Sequence, residues 1–235
     1  MNNIYISGTS SGLGKYLFKN IKNSKKFYRN KKNKIKKPSI LIHTAFFKKK
    51  IKENKRDFNI NFKQTLNLYE EIEKFDFKNI IFISTIDINQ NDFSKNSYVV
   101  LKKKIENKLK KNEKFYILRC GFLIGESMKK NSIYKLIRAK SKTKISLSEK
   151  SSIYLTSYED VLNGINEIIK QKKIIKGIYN IISKDKLYFK EYKNKNIIFG
   201  NYNLVYKKNS NTKFKKNFKL KTKSVNTIVK EIEQI

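Results

Sequence analysis

The sequence predicts an α/β fold built on a doubly wound parallel sheet, and three observations carry that prediction. Short β-branched or aromatic runs recur along the 235 residues, at Ile4–Ser7, Ile40–His43, Ile80–Ser84, Phe115–Leu118 and Ile153–Leu155. Amphipathic stretches with helical spacing lie between them. The first run passes at once into a glycine-rich turn and then a helical pattern, Lys15–Ile21. Continuous apolar strands alternating with helices indicate a parallel sheet covered on both faces, because such strands are buried on both sides.

Taken in order, Ile4–Ser7 is the first strand and Lys26–Tyr28 the expected second. Phe58, Phe62, Leu66, Tyr69 and Ile72 form one helical stripe, and Tyr98, Leu101, Ile105 and Leu109 another. Val161, Ile165 and Ile168 make a third, and Val225, Ile228 and Ile232 a fourth at the C-terminus. Steps of three or four residues put each set on one side of its helix. Between Gly14 and Ile40 there is room for one short strand, but hardly for a further helix and strand. Pro38 is the only proline, and neither a repeat nor a Gly/Ser linker divides the chain. The expectation is therefore a single domain over 1–235, with 126–150 and 185–235 forming a small C-terminal lobe beside the sheet. From Phe189 onward the pattern weakens into lysine-rich segments with short apolar runs such as Ile197–Phe199 and Leu204–Tyr206.

The formal net charge of +36 would ordinarily point to nucleic acid or an anionic membrane surface. Only Arg29, Arg56, Arg119 and Arg138 are arginines, however, and the lysines are spread along the whole chain among Asn and Ile. That is the pattern of a general compositional drift, whereas a nucleic-acid site concentrates Arg and aromatics on one face. No specific nucleic-acid partner and no membrane partner is expected, although the charge favours small anionic ligands. The single cysteine, Cys120, cannot close an internal disulfide, which fits a reducing compartment. With His43 the only histidine, the soft ligands are too few for a structural zinc site, and no metal is expected. The N-terminus does not read as a signal peptide, and no apolar run nears the roughly 20 residues of a membrane span. The expected location is the cytoplasm.

Three of eight glycines fall within Gly8-Thr9-Ser10-Ser11-Gly12-Leu13-Gly14, between strand and helix. Glycine there permits positive φ in the turn, lets the backbone approach a pyrophosphate, and brings the helix close to the strand. The helix N-terminus then offers N–H groups and a positive dipole to the phosphates. A glycine motif alone is weak; strand, loop and helix together read as a Rossmann-type dinucleotide site. Gly8, Ser10, Ser11, Gly12, Leu13 and Gly14 are the candidate contacts. No Asp or Glu occurs before Glu53, and the expected second strand ends in Arg29, followed by Lys31 and Lys32. An acid at that place would hold ribose hydroxyls, whereas a base suits a 2′-phosphate. Arg29 therefore favours NADP over NAD.

Tyr98 and Lys102 form a Tyr-x-x-x-Lys pair, whose members share a face of the expected helix. Spacing alone identifies nothing, since Tyr28 and Lys32 repeat it. Context singles out Tyr98: strand Ile80–Ile83 ends in the hydroxyl pair Ser84-Thr85, 13 residues before it. A strand-end hydroxyl followed by this helix brings three groups to the C-terminal edge of the sheet, where such folds bind ligands. Tyrosine, with an ordinary pKa near 10, is a poor base at neutral pH. A neighbouring ammonium and a positive nicotinamide ring would favour its phenolate.

The Gly8–Gly14 loop, Ser84/Thr85 and Tyr98/Lys102 together resemble the short-chain dehydrogenase/reductase superfamily. Further segments resemble its branch of NAD(P)-dependent sugar-nucleotide epimerases and dehydratases. Ile40-Leu41-Ile42-His43-Thr44-Ala45 is similar to that branch's hydrophobic–His–x–Ala strand. Asn61-Phe62-Lys63-Gln64-Thr65-Leu66-Asn67-Leu68 resembles its Asn-x-x-Gly-Thr-x-Asn-Leu helix, with Gln64 in place of glycine. Leu118-Arg119-Cys120-Gly121 and Ile124-Gly125 resemble its Leu-Arg-Pro-Gly…Gly, with Cys120 where proline is usual. The resemblance covers roughly residues 3–182. It implies that Tyr98 is the catalytic acid/base, that Lys102 binds the nicotinamide ribose, and that Thr85 or Ser84 hydrogen-bonds the substrate. It further implies that His43, Thr44 and Ala45 line the cofactor, with Asn61 supporting the site from a neighbouring helix. The family's acidic adenine contact is missing, and the substrate-side lobe is shorter than usual. A four-helix homodimer is common in that family, and the oligomeric state stays open here.

The expected activity is thus an NAD(P)-dependent epimerisation, dehydration or reduction of a nucleotide-activated sugar. The alternatives are an NADPH-dependent reductase or dehydrogenase of a small carbonyl or alcohol, and a non-catalytic NAD(P)-binding protein. A charge-driven nucleic-acid binder would need a basic helix motif or aromatic-interleaved patch that the sequence lacks.

Overall fold

A computed structural model describes residues 2–28, 33–45, 63, 67, 69–72, 74–90, 96–111, 115–126, 128, 131–170, 175–193 and 196–234. Strand β1 (Asn3–Ser7) leads into helix α1 (Gly12–Asn20), β2 (Lys25–Lys26) and β3 (Ser39–His43). The described residues among 63–72 are helical. Strand β4 (Asn79–Thr85) ends in a 3-10 turn (Ile86–Asn89), and α2 (Ser97–Leu109) and β5 (Phe115–Cys120) follow. Next come β6 (Phe122–Ile124), α3 (Ser132–Ile137), β7 (Thr143–Lys144), β8 (Ser152–Ile153), β9 (Leu155–Ser157) and α4 (Tyr158–Lys170). The chain closes with β10 (Gly177–Ile181), β11 (Leu187–Tyr188), a 3-10 turn (Phe189–Tyr192), β12 (Ile197–Ile198), α5 (Thr212–Phe218) and α6 (Val225–Gln234).

The central sheet has six strands in the order β10-β5-β4-β3-β1-β2. Pairing is parallel between β1 and β2, β1 and β3, and β3 and β4. This is the doubly wound α/β architecture that the alternation of apolar runs predicts. The chain leaves β1 toward β2 on one side, while β3 lies on the other side of β1. The winding therefore reverses between β1 and β3, and such a reversal opens a crevice beyond the C-terminal ends of the two strands. β2 is the sheet edge, and its neighbour Phe27 continues the ladder by donating to the Ile6 carbonyl at 2.8 Å.

The chain divides into two compact units, Met1–Leu118 with Ile175–Ile178, and Arg119–Ile174 with Tyr179–Ile235. In the first, every residue of β3 and residues 80–85 of β4 are buried, as strands covered on both faces must be. Tyr5, Leu41, Phe82 and Ile117 from the strands pack with Leu101, Ile105 and Leu109 of α2 and with Tyr69, Ile72 and Phe77. Of the two predicted stripes, Tyr69, Ile72, Leu101, Ile105 and Leu109 thus pack on the sheet, and Phe58, Phe62 and Leu66 lie outside the described residues. The second unit contains three small strand pairs: β6 with β9 and β7 with β12, both parallel, and β8 with β11, antiparallel. Its α4 buries Val161, Gly164, Ile165 and Ile168, with the Phe214 ring of α5 close by the Gly164 notch.

Several element bounds differ from expectation. The second strand falls on Lys25–Lys26, ahead of Lys26–Tyr28, because Tyr5 and Ile6 of β1 take those residues as partners. The run Ile153–Leu155 is not a strand of the central sheet. It is split between β8 and β9, which pair within the second unit, and β10 supplies the sixth central strand. An apolar run reports burial, and both sites bury it, so periodicity does not choose the partner. Helices α3 and α5, of 6 and 7 residues, are too short to announce a period. Among the described residues no helix is long and apolar enough to cross a membrane, and no cluster of His, Cys, Asp and Glu could hold a metal ion.

Candidate active site

The loop after β1 has the backbone that its glycines predict. Gly8 and Gly12 adopt positive φ, at 76° and 54°, where a side chain would be strained. A Cβ on Gly8 would stand 2.6 Å from Thr44 Oγ1, and one on Gly14 would collide with the Gly8 carbonyl oxygen. Only hydrogen at these positions lets α1 start this close to the ends of β1 and β3. Leu13 and Gly14 are buried, while Ser10 and Ser11 are exposed at the helix mouth. The N-cap, Ser11, makes no side-chain cap, and no acid lies in the first turn of α1. No acid of the first turn and no Ser11 cap thus competes for the backbone N–H groups at the helix start, which suits a pyrophosphate.

The ends of β1 and β3 are laced together. Thr44 Oγ1 donates to the Ser7 carbonyl at 2.6 Å, and Ala45 N–H donates to Ser7 Oγ at 3.4 Å. Ser7 Oγ also meets His43 Nδ1 at 2.7 Å. His43 is 2% exposed and stacks on Phe82 at 5.7 Å between ring centroids, tilted by 20°. Burial, aided by the charge of Lys102, lowers its pKa from 6.5 to about 3. The imidazole is therefore neutral at physiological pH. Its Nε2 has no hydrogen-bond partner among the described residues.

Strand β4 and helix α2 bring the candidate groups together. Asn96 caps α2, its Oδ1 accepting from the N–H groups of Tyr98 and Val99, which fixes the first turn where Tyr98 sits half-buried. One turn later Lys102, 3% exposed, donates from Nζ to the Ile83 carbonyl at 2.7 Å. That ammonium lies 4.5 Å from the Phe82 ring centroid and 5.6 Å from that of Tyr98. A second turn on, Glu106, 0% exposed, accepts from Ser84 Oγ at 2.6 Å. Buried Thr85 caps the 3-10 turn, its Oγ1 accepting from Asp87 N–H at 3.2 Å, which leaves its own proton to be donated.

The structure thus brings Tyr98 and Lys102 together on one helix face and anchors Lys102 to the strand that ends in Ser84 and Thr85. It brings Gly8, Gly12, Gly14, His43, Thr44 and Ala45 to the reversal point of the sheet. The Ser84 hydroxyl is directed to Glu106. Arg29 and Asn61 lie outside the described residues. Spacing did not single out Glu106, Ser7 or Phe82. An acid four residues after Lys102, between buried Ile105 and Leu109, was the available signal for Glu106.

No family model and no curated relative matches the sequence. Solved structures do match in fold. RMD from Pseudomonas aeruginosa, complexed with NADPH, superposes with a TM-score of 0.76 at 14% identity, covering 100% of this chain and 98% of that one. UDP-glucuronic acid 4-epimerase from Bacillus cereus, with UDP-glucuronic acid and NAD, gives 0.73 at 14% identity over 99% of both chains. A short-chain dehydrogenase/reductase superfamily protein from Agrobacterium tumefaciens with bound NAD gives 0.72 at 11% identity, covering 99% of this chain and 95% of that one. At these identities the likeness is one of fold: the chain has the Rossmann-like α/β fold of these proteins.

Proposed function

We propose that the chain is an NAD(P)-dependent enzyme of the short-chain dehydrogenase/reductase type that acts on a nucleotide-activated sugar. The observation that carries this reading is the buried Lys102 ammonium, anchored on Ile83 and 5.6 Å from the Tyr98 ring, beside the strand that ends in Thr85. Tyr98 then moves the hydroxyl proton of the substrate, and Thr85 donates to the same substrate oxygen. Lys102 favours the phenolate of Tyr98 and binds a ribose. Bound nicotinamide would supply hydride transfer. The Gly8–Gly14 backbone and the start of α1 would hold its pyrophosphate, with His43, Thr44 and Ala45 below. Arg29, with no acid before Glu53, favours NADP over NAD. The fold likeness to nucleotide-sugar enzymes supports the substrate class.

Fluorescence titration with NADPH and NADH in moderate salt tests the cofactor, and a nucleotide-sugar panel tests turnover. NADPH is expected to bind saturably and more tightly than NADH. Tyr98→Phe is expected to keep that binding and to lose turnover about 10²–10⁴-fold. Failure to bind either nucleotide overturns the cofactor site. A fully active Tyr98→Phe overturns the mechanism, and turnover of free carbonyls alone assigns a small-carbonyl substrate instead.

A further inference from the structure

We propose that Glu106 is a positioning residue, which with Lys102 clamps the helix bearing the reacting groups onto the strand that ends in Thr85. This rests on the reading of Tyr98 and Lys102 as the reacting pair. Two successive turns of α2 each send a charged side chain to one of two consecutive residues of β4. Lys102 Nζ donates to the Ile83 carbonyl at 2.7 Å, and Glu106 Oε1 accepts from Ser84 Oγ at 2.6 Å. Both side chains are buried, Glu106 completely. A charged group so enclosed costs free energy that an apolar residue of the same size would not. Val99, Leu101, Ile105 and Leu109 already bury apolar surface on the same helix.

What the two bonds add is register. A slide of α2 by one residue is about 1.5 Å, and a rotation moves successive residues by about 100°. Either breaks at least one buried hydrogen bond. Apolar contacts are non-directional and tolerate such shifts far better, whereas proton transfer needs heavy atoms within hydrogen-bond reach. Losing the Glu106 bond would remove one of these two directional ties between α2 and the end of β4 and let Lys102 shift relative to Tyr98. His43, which senses Lys102 electrostatically, is held neutral by burial and adds no charge there.

The test reads Tyr98 in the full chain without substrate or nucleotide, as the titration midpoint of its ¹³Cζ signal, assigned by its loss in Tyr98→Phe. Glu106→Gln removes the charge and keeps the acceptor; Glu106→Ala and Ser84→Ala remove the bond from either end. Loss of a nearby negative charge alone would lower the Tyr98 midpoint or leave it in place. The expected result is that both alanine variants raise the midpoint by about half a pH unit or more, the double variant no further, while Glu106→Gln does not raise it. Where Glu106→Ala fails to fold, Ser84→Ala decides. Wild-type midpoints in the alanine variants, or an equal rise in Glu106→Gln, overturn the proposal. Absence of nucleotide binding by the wild-type protein would instead strike the functional reading, and the Tyr98 titration is scored apart from it.

Discussion

Gly14 lies so closely over Gly8 that a Cβ on Gly14 would meet the Gly8 carbonyl oxygen and stand 2.5 Å from Thr44 Oγ1. One obstacle is backbone, which cannot swing aside as a side chain could. Gly14→Ala is therefore expected to push α1 off the ends of β1 and β3. The expected cost is about 1–3 kcal/mol of stability and at least about tenfold in nucleotide affinity. Urea unfolding and NADPH titration check the two parts. Wild-type affinity in a destabilised variant would remove the loop from the phosphate site.

The chain has one histidine, which makes its titration separable. The pKa of His43 is about 3 in the folded protein against the ordinary 6.5, so the unfolded chain binds the extra proton between these values. Stability from this group is complete above about pH 6.5 and is lost as pH falls toward 3, at up to about 1.4 kcal/mol per pH unit. His43→Asn keeps a polar group near Ser7 and removes the titration. Urea unfolding from pH 7 to pH 4 is expected to show a steeper loss for wild type than for His43→Asn. Parallel curves would show that His43 is not buried neutral.

Arg29 is the base expected at the adenine end. Arg29→Ala should weaken NADPH about tenfold and leave NADH unchanged, since a 2′-phosphate contact is charge-assisted. Equal losses for both nucleotides would assign Arg29 to general charge rather than to selectivity.

Phe218 is fully buried in the second unit, edge-on to Tyr179 at 4.8 Å and stacked on Phe214 at 4.6 Å between ring centroids. Phe218→Ala is expected to cost about 3–5 kcal/mol. Thermal and urea unfolding measure the loss. A cost below about 1 kcal/mol would mean that the site refills by collapse.

Much of the candidate site was legible because its physics is local. The glycines at 8, 12 and 14 can be read as a strand-to-helix turn, while the bulk that Gly8 and Gly14 must avoid comes from their own loop and from Thr44 and Ala45 just after β3. Tyr98 and Lys102 share a helix face by spacing alone. The partner of Lys102 was not legible, since the Ile83 carbonyl has no sequence mark. The Ser84–Glu106 bond joins residues 22 apart, and nothing in either neighbourhood announces the other.

The sequence by itself determined the class of fold, the phosphate-loop candidate and the set of polar groups available for chemistry, since periodicity and glycine placement act over a few residues. Tertiary structure alone decided which buried run joins the central sheet, with β10 taken and Ile153–Leu155 diverted to short pairs elsewhere. It also decided the protonation of His43 and the direction of the Ser84 hydroxyl. Those outcomes depend on desolvation and on partners distant along the chain, and both exist only once the strands and helices have packed.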